Sequence, residues 1–148
     1  MRFLDQERIP HREREYDASI TNGLKVAEVL NEDPSRVFKT LVTVSDQRKY
    51  YVFCLPVRAH LDLKKAAKLA GAKSLSMIPQ KELLPLTGYV HGGCSPLMMK
   101  KRFDTFVDET AALYDFIFIS GGKTGCQVSI DYRDLIRLTD AKLADVCE

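Results

Sequence analysis

Residues 37–44 read Val-Phe-Lys-Thr-Leu-Val-Thr-Val. After Ser45-Asp46-Gln47-Arg48-Lys49, the chain returns as Tyr-Tyr-Val-Phe-Cys-Leu-Pro-Val over 50–57. β-Branched and aromatic residues of this density predict two strands, and the short polar turn between them predicts an antiparallel hairpin. The first strand is mostly apolar on both faces, the signature of an interior strand. The fold must therefore cover this first strand on both faces. Lys39 is the exception, an ammonium placed where burial without a partner is costly. Either it snorkels from an edge to water, or it points into a polar cleft and meets an anionic or carbonyl group.

The remaining elements follow from local signals. Residues 12–16 suggest a first strand. Ser19 is the expected N-cap of a helix over about 20–31, with Leu24, Ala27 and Leu30 at helical spacing. Asp62 caps a second helix whose Leu63, Ala66, Ala67 and Ala70 face inward and which Gly71 ends; Lys64, Lys65 and Lys68 fall on its outer face. A short strand is expected over 74–78, and a short helix with Pro79 in its first turn over 79–86. Tyr89 begins a strand that runs into Gly92-Gly93. Strands follow at 105–108, 116–120 and 126–130. Asp131 caps a last helix with Leu135, Ile136 and Leu138 inward, and 141–146 closes the sheet. Strands and helices do not alternate regularly, so the fold class is α+β, with a mixed, curved, barrel-like sheet and several surface helices.

At 148 residues the chain suits a single domain spanning 1–148, and 45% apolar with 28% charged residues is enough to build a core. A net charge of +2 does not require a nucleic-acid partner. Cys54, Cys94, Cys126 and Cys147 lack zinc-knuckle or redox-motif spacing, and His11, His60 and His91 are scattered, so a structural zinc site is not expected. No apolar run is long enough for a bilayer and the first ten residues do not resemble a signal peptide. The expectation is a cytoplasmic protein with free thiols.

Two motifs invite misreading. Gly122-Lys123-Thr124 follows a strand, but a phosphate-binding loop needs a glycine five residues earlier, where this chain has Ile117. The residues after it read as strand, so the helix N-terminus that should face the phosphate is missing. Gly92-Gly93-Cys94-Ser95-Pro96 does not match the hydrolase nucleophile elbow, and His91 and Cys94 are not a convincing nucleophile pair. What remains is a coincidence. Two glycine pairs, Gly92-Gly93 and Gly121-Gly122, end predicted strands, where bare backbone can approach a ligand. Each has a hydroxyl nearby, Ser95 and Ser120, and a strand lysine accompanies them.

These pieces together resemble the YbaK/EbsC family, which includes the editing domain inserted in some prolyl-tRNA synthetases. Val37-Phe38-Lys39-Thr40-Leu41 resembles its strand-lysine motif, and Leu61-Asp62-Leu63-Lys64-Lys65-Ala66-Ala67 its following helix. The stretch from Thr87 to Leu97 resembles its first glycine loop, Ser120-Gly121-Gly122-Lys123-Thr124-Gly125 its second, and Asp140-Ala141-Lys142-Leu143-Ala144-Asp145 its end. The resemblance covers nearly the whole chain in order.

It implies a mixed α/β sheet around one pocket, with neither a metal nor an organic cofactor. The implied activity is metal-free hydrolysis of mischarged aminoacyl-tRNA, here Cys-tRNA(Pro), with the substrate's own thiol attacking its carbonyl. The implied partners are the 3′ aminoacyl end of the tRNA and prolyl-tRNA synthetase. Lys39, as catalytic residue, and the amides around Gly92 would meet the carbonyl and terminal-adenosine end, with Gly93 and Ser95 also binding substrate, Tyr16 at the pocket mouth, and Ser120 and Gly121 at its floor. Gln127 stands where some members have an aspartate that could hold the substrate's ammonium. Alanyl-tRNA or another small aminoacyl-tRNA is therefore an alternative substrate. A non-catalytic binding module of the same fold is the alternative function. Lys64, Lys65 and Lys68 read as a solvated face or, with Lys100, Lys101 and Arg102, as a patch for tRNA phosphates.

Overall fold

The computed structural model describes residues 1–148. Its elements are α1 (Arg2–Gln6), β1 (His11–Glu15), α2 (Gly23–Leu30), β2 (Phe38–Ser45), β3 (Tyr50–Pro56), α3 (Leu63–Ala70), β4 (Leu75–Met77), α4 (Leu83–Thr87), β5 (Asp104–Asp108), β6 (Ile117–Ser120), β7 (Cys126–Ile130), α5 (Tyr132–Thr139) and β8 (Lys142–Ala144). Short 3₁₀ turns, Gln80–Glu82 and Glu109–Leu113, precede α4 and β6.

The predicted hairpin lies at the centre. β2 and β3 pair antiparallel from Phe38 opposite Pro56 to Val44 opposite Tyr50. Around them a five-stranded mixed sheet runs β4-β2-β3-β5-β8, with β5 and β8 parallel to their neighbours. Both faces of β3 are buried because successive side chains enter different cores. Cys54 joins the larger core with Leu97, Val107, Ile119, Val128 and Leu135. Phe53 and Leu55 point the other way, onto Ala66 and Ala67 of α3 and Val146. There Phe53 stacks on Phe106, centroids 5.3 Å apart.

A second, three-stranded antiparallel sheet runs β1-β7-β6. The two sheets meet at one corner, where Val37 bridges Phe118 in parallel and the Phe118 amide donates to the Arg36 carbonyl at 2.9 Å. The fold is thus mixed α+β as expected, but its strands divide into two sheets and do not close into a barrel. The reason is local. The strand expected from Tyr89 into Gly92-Gly93 is a loop, turned by left-handed backbone at Gly88 and Gly92. No strand is left to bridge the open side.

The caps at Asp62 and Asp131 form as expected; Asp62 Oδ1 accepts from the amides of Lys64 and Lys65, each at 3.0 Å. The expected helix at 79–86 is divided between the first 3₁₀ turn and α4. The cap of α2 is not Ser19. The chain between β1 and α2 first makes a turn in which Asp17 accepts from the amide and hydroxyl of Ser19, and the helix starts at Asn22, whose Oδ1 accepts from the Lys25 amide at 3.2 Å. Val26, Ala27 and Leu30 face the core, whereas Leu24 on the first turn projects past it and is 50% exposed.

Asn22→Ala should lower unfolding free energy by about 1 kcal/mol in urea titrations, while Ser19→Ala, in an exposed turn, should cost a few tenths at most. The reverse order would restore Ser19 as the cap.

Candidate active site

The gap between the sheets is a cavity of about 560 Å³, within the range of small-molecule sites. Its wall is built by the start of β2, the first turn of α2, the turn after β3, the loop after α4 and the facing ends of β6 and β7. Lys39 is the only lysine or arginine in the lining, and no aspartate or glutamate is present.

Lys39 does not reach bulk water unpartnered. Its Nζ donates to the Ala59 carbonyl at 2.6 Å. An ammonium has three donors, so two remain for a ligand. Burial pulls its pKa below the ordinary lysine value, opposed by the nearby Cys147. The neighbouring Thr40 faces Cys54 across the hairpin, Oγ1 to Sγ 3.8 Å.

The floor follows from strand register. Ser120 on β6 lies directly opposite Gln127 on β7, and directly paired residues present side chains to the same face. Both are 7% exposed and both line the cavity. Ser120 Oγ accepts from the Gly122 amide at 3.1 Å, which leaves its own O–H free to donate. Gln127 Oε1 is buried with no hydrogen-bond partner, and so is the hydroxyl of Tyr16 on the same wall. Two orphaned polar atoms thus belong to residues of one cavity wall, where buried polar groups are otherwise paired.

The two glycine loops do converge. A Cβ on Gly93 would lie 2.8 Å from the backbone nitrogen of Thr124, so one loop rests on the bare backbone of the other. Gly92 has φ 86°, and a Cβ there would sit 2.8 Å from Thr21 Cγ2. Only glycine fits, and it puts main chain on the cavity wall.

Of the eight residues singled out from sequence, Tyr16, Lys39, Gly92, Ser120 and Gln127 line the cavity, while Gly93, Ser95 and Gly121 lie behind its wall. The Gly93 amide donates to the Val90 carbonyl and the Gly121 amide to the Cys126 carbonyl, so neither is free for a ligand. Ser95 is fully buried, its Oγ accepting from the Leu97 amide at 3.1 Å. Sequence reasoning missed Thr21, Asn22, Leu24, Thr40, His60 and Leu83 on the wall. Asn22-Gly23 was the available signal for the first of these; read as a cap and first helical residue, it would have brought the N-terminus of α2, with its partial positive charge, to the cavity.

Nothing on the wall is assembled for covalent catalysis. Cys94 lines the cavity, but burial pushes its thiol up to about 12, so at neutral pH it holds its proton and is a poor nucleophile. Neither the His60 nor the His91 side chain is hydrogen-bonded to Cys94 or Ser120. No three His, Cys, Asp or Glu side chains cluster closely enough to hold a metal ion.

Comparison with known proteins bears on these features. Residues 20–138 match the family described as the aminoacyl-tRNA editing domain. Over 99% of its length the chain is 39% identical to an Enterococcus faecalis protein bearing the name Cys-tRNA(Pro)/Cys-tRNA(Cys) deacylase EbsC, covering 90% of that protein. It is also similar to the crystal structure of a trans-editing enzyme for prolyl-tRNA synthetase, at 27% identity and a TM-score of 0.84, over 93% of this chain and 87% of that one. The hypothetical protein APE2540 shares the fold, with a TM-score of 0.91 at 22% identity, over 99% and 97% of the two chains.

The thiols supply a chemical test of the wall. Burial also raises Cys54 and Cys147 to about 12 and shifts Cys126 upward. Each stays a thiol well above neutral pH. Iodoacetamide at about pH 8 should therefore leave the folded protein's mass unchanged, whereas unfolding in urea should expose all four cysteines to alkylation. Rapid labelling of Cys94 in the folded state would reveal an activated nucleophile.

Proposed function

The chain belongs to the family of aminoacyl-tRNA editing domains, and from that membership we propose that it is a trans-editing deacylase that clears cysteine misattached to proline tRNA. The relative from Enterococcus faecalis supports the substrate through its name, and the trans-editing crystal structure supports action on a separate, already charged tRNA. The observation that carries the reading is the Lys39 ammonium, held by the Ala59 carbonyl on a cavity wall that contains no carboxylate. Such a cavity lacks a carboxylate base or an activated nucleophile, but it can position an ester and stabilise charge developing on it.

The chemistry then belongs largely to the substrate. The cysteine sulfur attacks its own ester carbonyl; the carbon–sulfur bond forms, the ester bond to the terminal ribose breaks, and the thiol proton passes to the ribose oxygen. Free tRNA and a cyclic thioester leave, and water opens the thioester to cysteine. Holding sulfur and carbonyl in a reactive pose is the enzyme's first contribution. The two N–H groups of Lys39 not used by Ala59, aided by the N-terminus of α2, meet the carbonyl oxygen as it becomes anionic. Gly92 admits the terminal ribose close to main chain, and Tyr16, Ser120 and Gln127 receive the amino-acid end.

Gln127 also favours a second reading. Its Oε1 is an unpaired acceptor but a neutral one, and it holds an ammonium less strongly than a carboxylate would. Weaker anchoring lets alanine or another small amino acid bind as well, with water then taking the place of the thiol.

Prolyl-tRNA synthetase fits as a partner because a net charge of +2 gives little grip on a tRNA of its own. An editing step coupled to that synthetase belongs in the cytoplasm. No helix is long and apolar enough to cross a membrane.

Incubating the protein with labelled cysteinyl-, alanyl- and prolyl-tRNA tests the reading. Cysteinyl-tRNA(Pro) should be deacylated fastest, and activity should persist in chelator. Lys39→Ala should lower the rate about 10²–10³-fold, the usual effect of removing one oxyanion donor, with the far-UV spectrum unchanged. No turnover above buffer on any of the three would leave a binding module; full activity in Lys39→Ala would remove the lysine from the mechanism.

A further inference from the structure

Lys65 lies on the exposed outer face of α3, but its head is tied. Its Nζ donates to Asp145 Oδ2 and to the Cys147 carbonyl, both at 2.8 Å. Residues 145–148 are thereby strapped along the turn that follows β3. The Asp62 amide donates to the Val146 carbonyl at 2.8 Å and the Glu148 amide to the His60 carbonyl at 3.0 Å, flanking a bridge between Leu61 and Cys147. From the other side Asp108, 2% exposed, accepts from the Val146 amide at 3.2 Å and holds Thr110 as well. Val146 itself is fully buried in the core beneath α3.

The turn held this way carries the carbonyl that holds Lys39. Behind Ala59, its amide donates to the Pro56 carbonyl at 2.9 Å; ahead of it, the His60 carbonyl is occupied by Glu148. The Ala59–His60 peptide is therefore fixed on both sides, and its oxygen sits 2.6 Å from Lys39 Nζ. A lysine side chain has four rotatable carbons and points accurately only when its head is tied. Lys65 and Lys39 touch no common atom, yet a continuous run of hydrogen bonds links them.

We propose that Lys65 is a positioning residue for Lys39, acting through the strap 145–148 and the Ala59 carbonyl. The proposal rests on the deacylase reading of the cavity. The Lys65–Asp145 pair is 42% and 54% exposed, and an exposed ion pair contributes little to stability. The role proposed for Lys65 is thus geometric, and Lys65→Met should leave the fold intact.

The test compares wild type, Lys65→Met and Lys65→Arg on cysteinyl-tRNA(Pro), alone and with Lys39→Ala, under single-turnover conditions. Lys65→Met should lower the maximal rate about tenfold while half-saturation stays within about twofold, because the tRNA still binds but the ammonium is misplaced. Lys65→Arg, able to reach both acceptors, should recover most of the loss. In the Lys39→Ala background Lys65→Met should add no further loss, the mark of two residues acting as a unit.

Hydrogen exchange gives an independent readout. In Lys65→Met the amides of Asp62 and Glu148 should exchange faster while those of Val52 and Phe53 stay protected. A wild type that hydrolyses no ester refutes the reading of the cavity. An active wild type with an equally active Lys65→Met, a loss that repeats in full without Lys39, or unchanged exchange at Asp62 and Glu148 refutes the strap.

Discussion

The structure depends on a cation brought part-way out of water on an interior strand. β2 has no exposed residue, its side chains being buried or half-buried on both faces, and an ammonium at Lys39 is tolerable there only with a polar partner. The Ala59 carbonyl is that partner. Because it accepts one N–H and carries no formal charge, Lys39 is held without being neutralised. A carboxylate in its place would fix the lysine more strongly but would cancel the field that a developing oxyanion needs. The absence of acidic side chains from the lining extends the same logic to the whole cavity.

The cavity exists because two sheets share a corner and diverge from it. At that corner Val37 is bonded both to the Val57 amide, through its carbonyl, and to the Phe118 segment. β2 leaves it in one sheet and β6 in the other. The first turn of α2 and the loop carrying Gly92 fill the opening only in part. The loops meet backbone to backbone at Gly93 and Thr124, which gives the rim a rigid seam while Gly92 stays on the wall. Polar atoms with no protein partner, Gln127 Oε1 and the Tyr16 hydroxyl, collect where that architecture leaves room for a ligand.

Much of this was legible beforehand because it rests on local rules. The hairpin, the caps at Asp62 and Asp131, and the inward face of α5 follow from β-branching, side-chain oxygens and helical spacing, none of which needs a partner to be known. Lys39 was conspicuous because it breaks an apolar pattern. The misses have a common cause. Ser19 and Asn22 are both competent caps, and only the Asp17 turn, which occupies Ser19, decides between them. Tyr89 to Gly93 has strand-forming residues but no strand beside it to pair with. Gly93, Ser95 and Gly121 adjoin Gly92 and Ser120 in sequence, but only the fold shows that the Gly93 and Gly121 amides donate to the Val90 and Cys126 carbonyls and that Ser95 Oγ accepts from the Leu97 amide.

The sequence by itself determined most element types, the central hairpin, the anomalous lysine and the ordered motifs of the family, since each is encoded within a few consecutive residues or in their order. Tertiary structure alone decided that the sheets stay open, that Ser120 and Gln127 share one floor, and that Lys65 is tied to Asp145 and Cys147. These depend on register and on contacts between residues up to 82 positions apart, where the energy of each pairing is set by which groups are left without another partner.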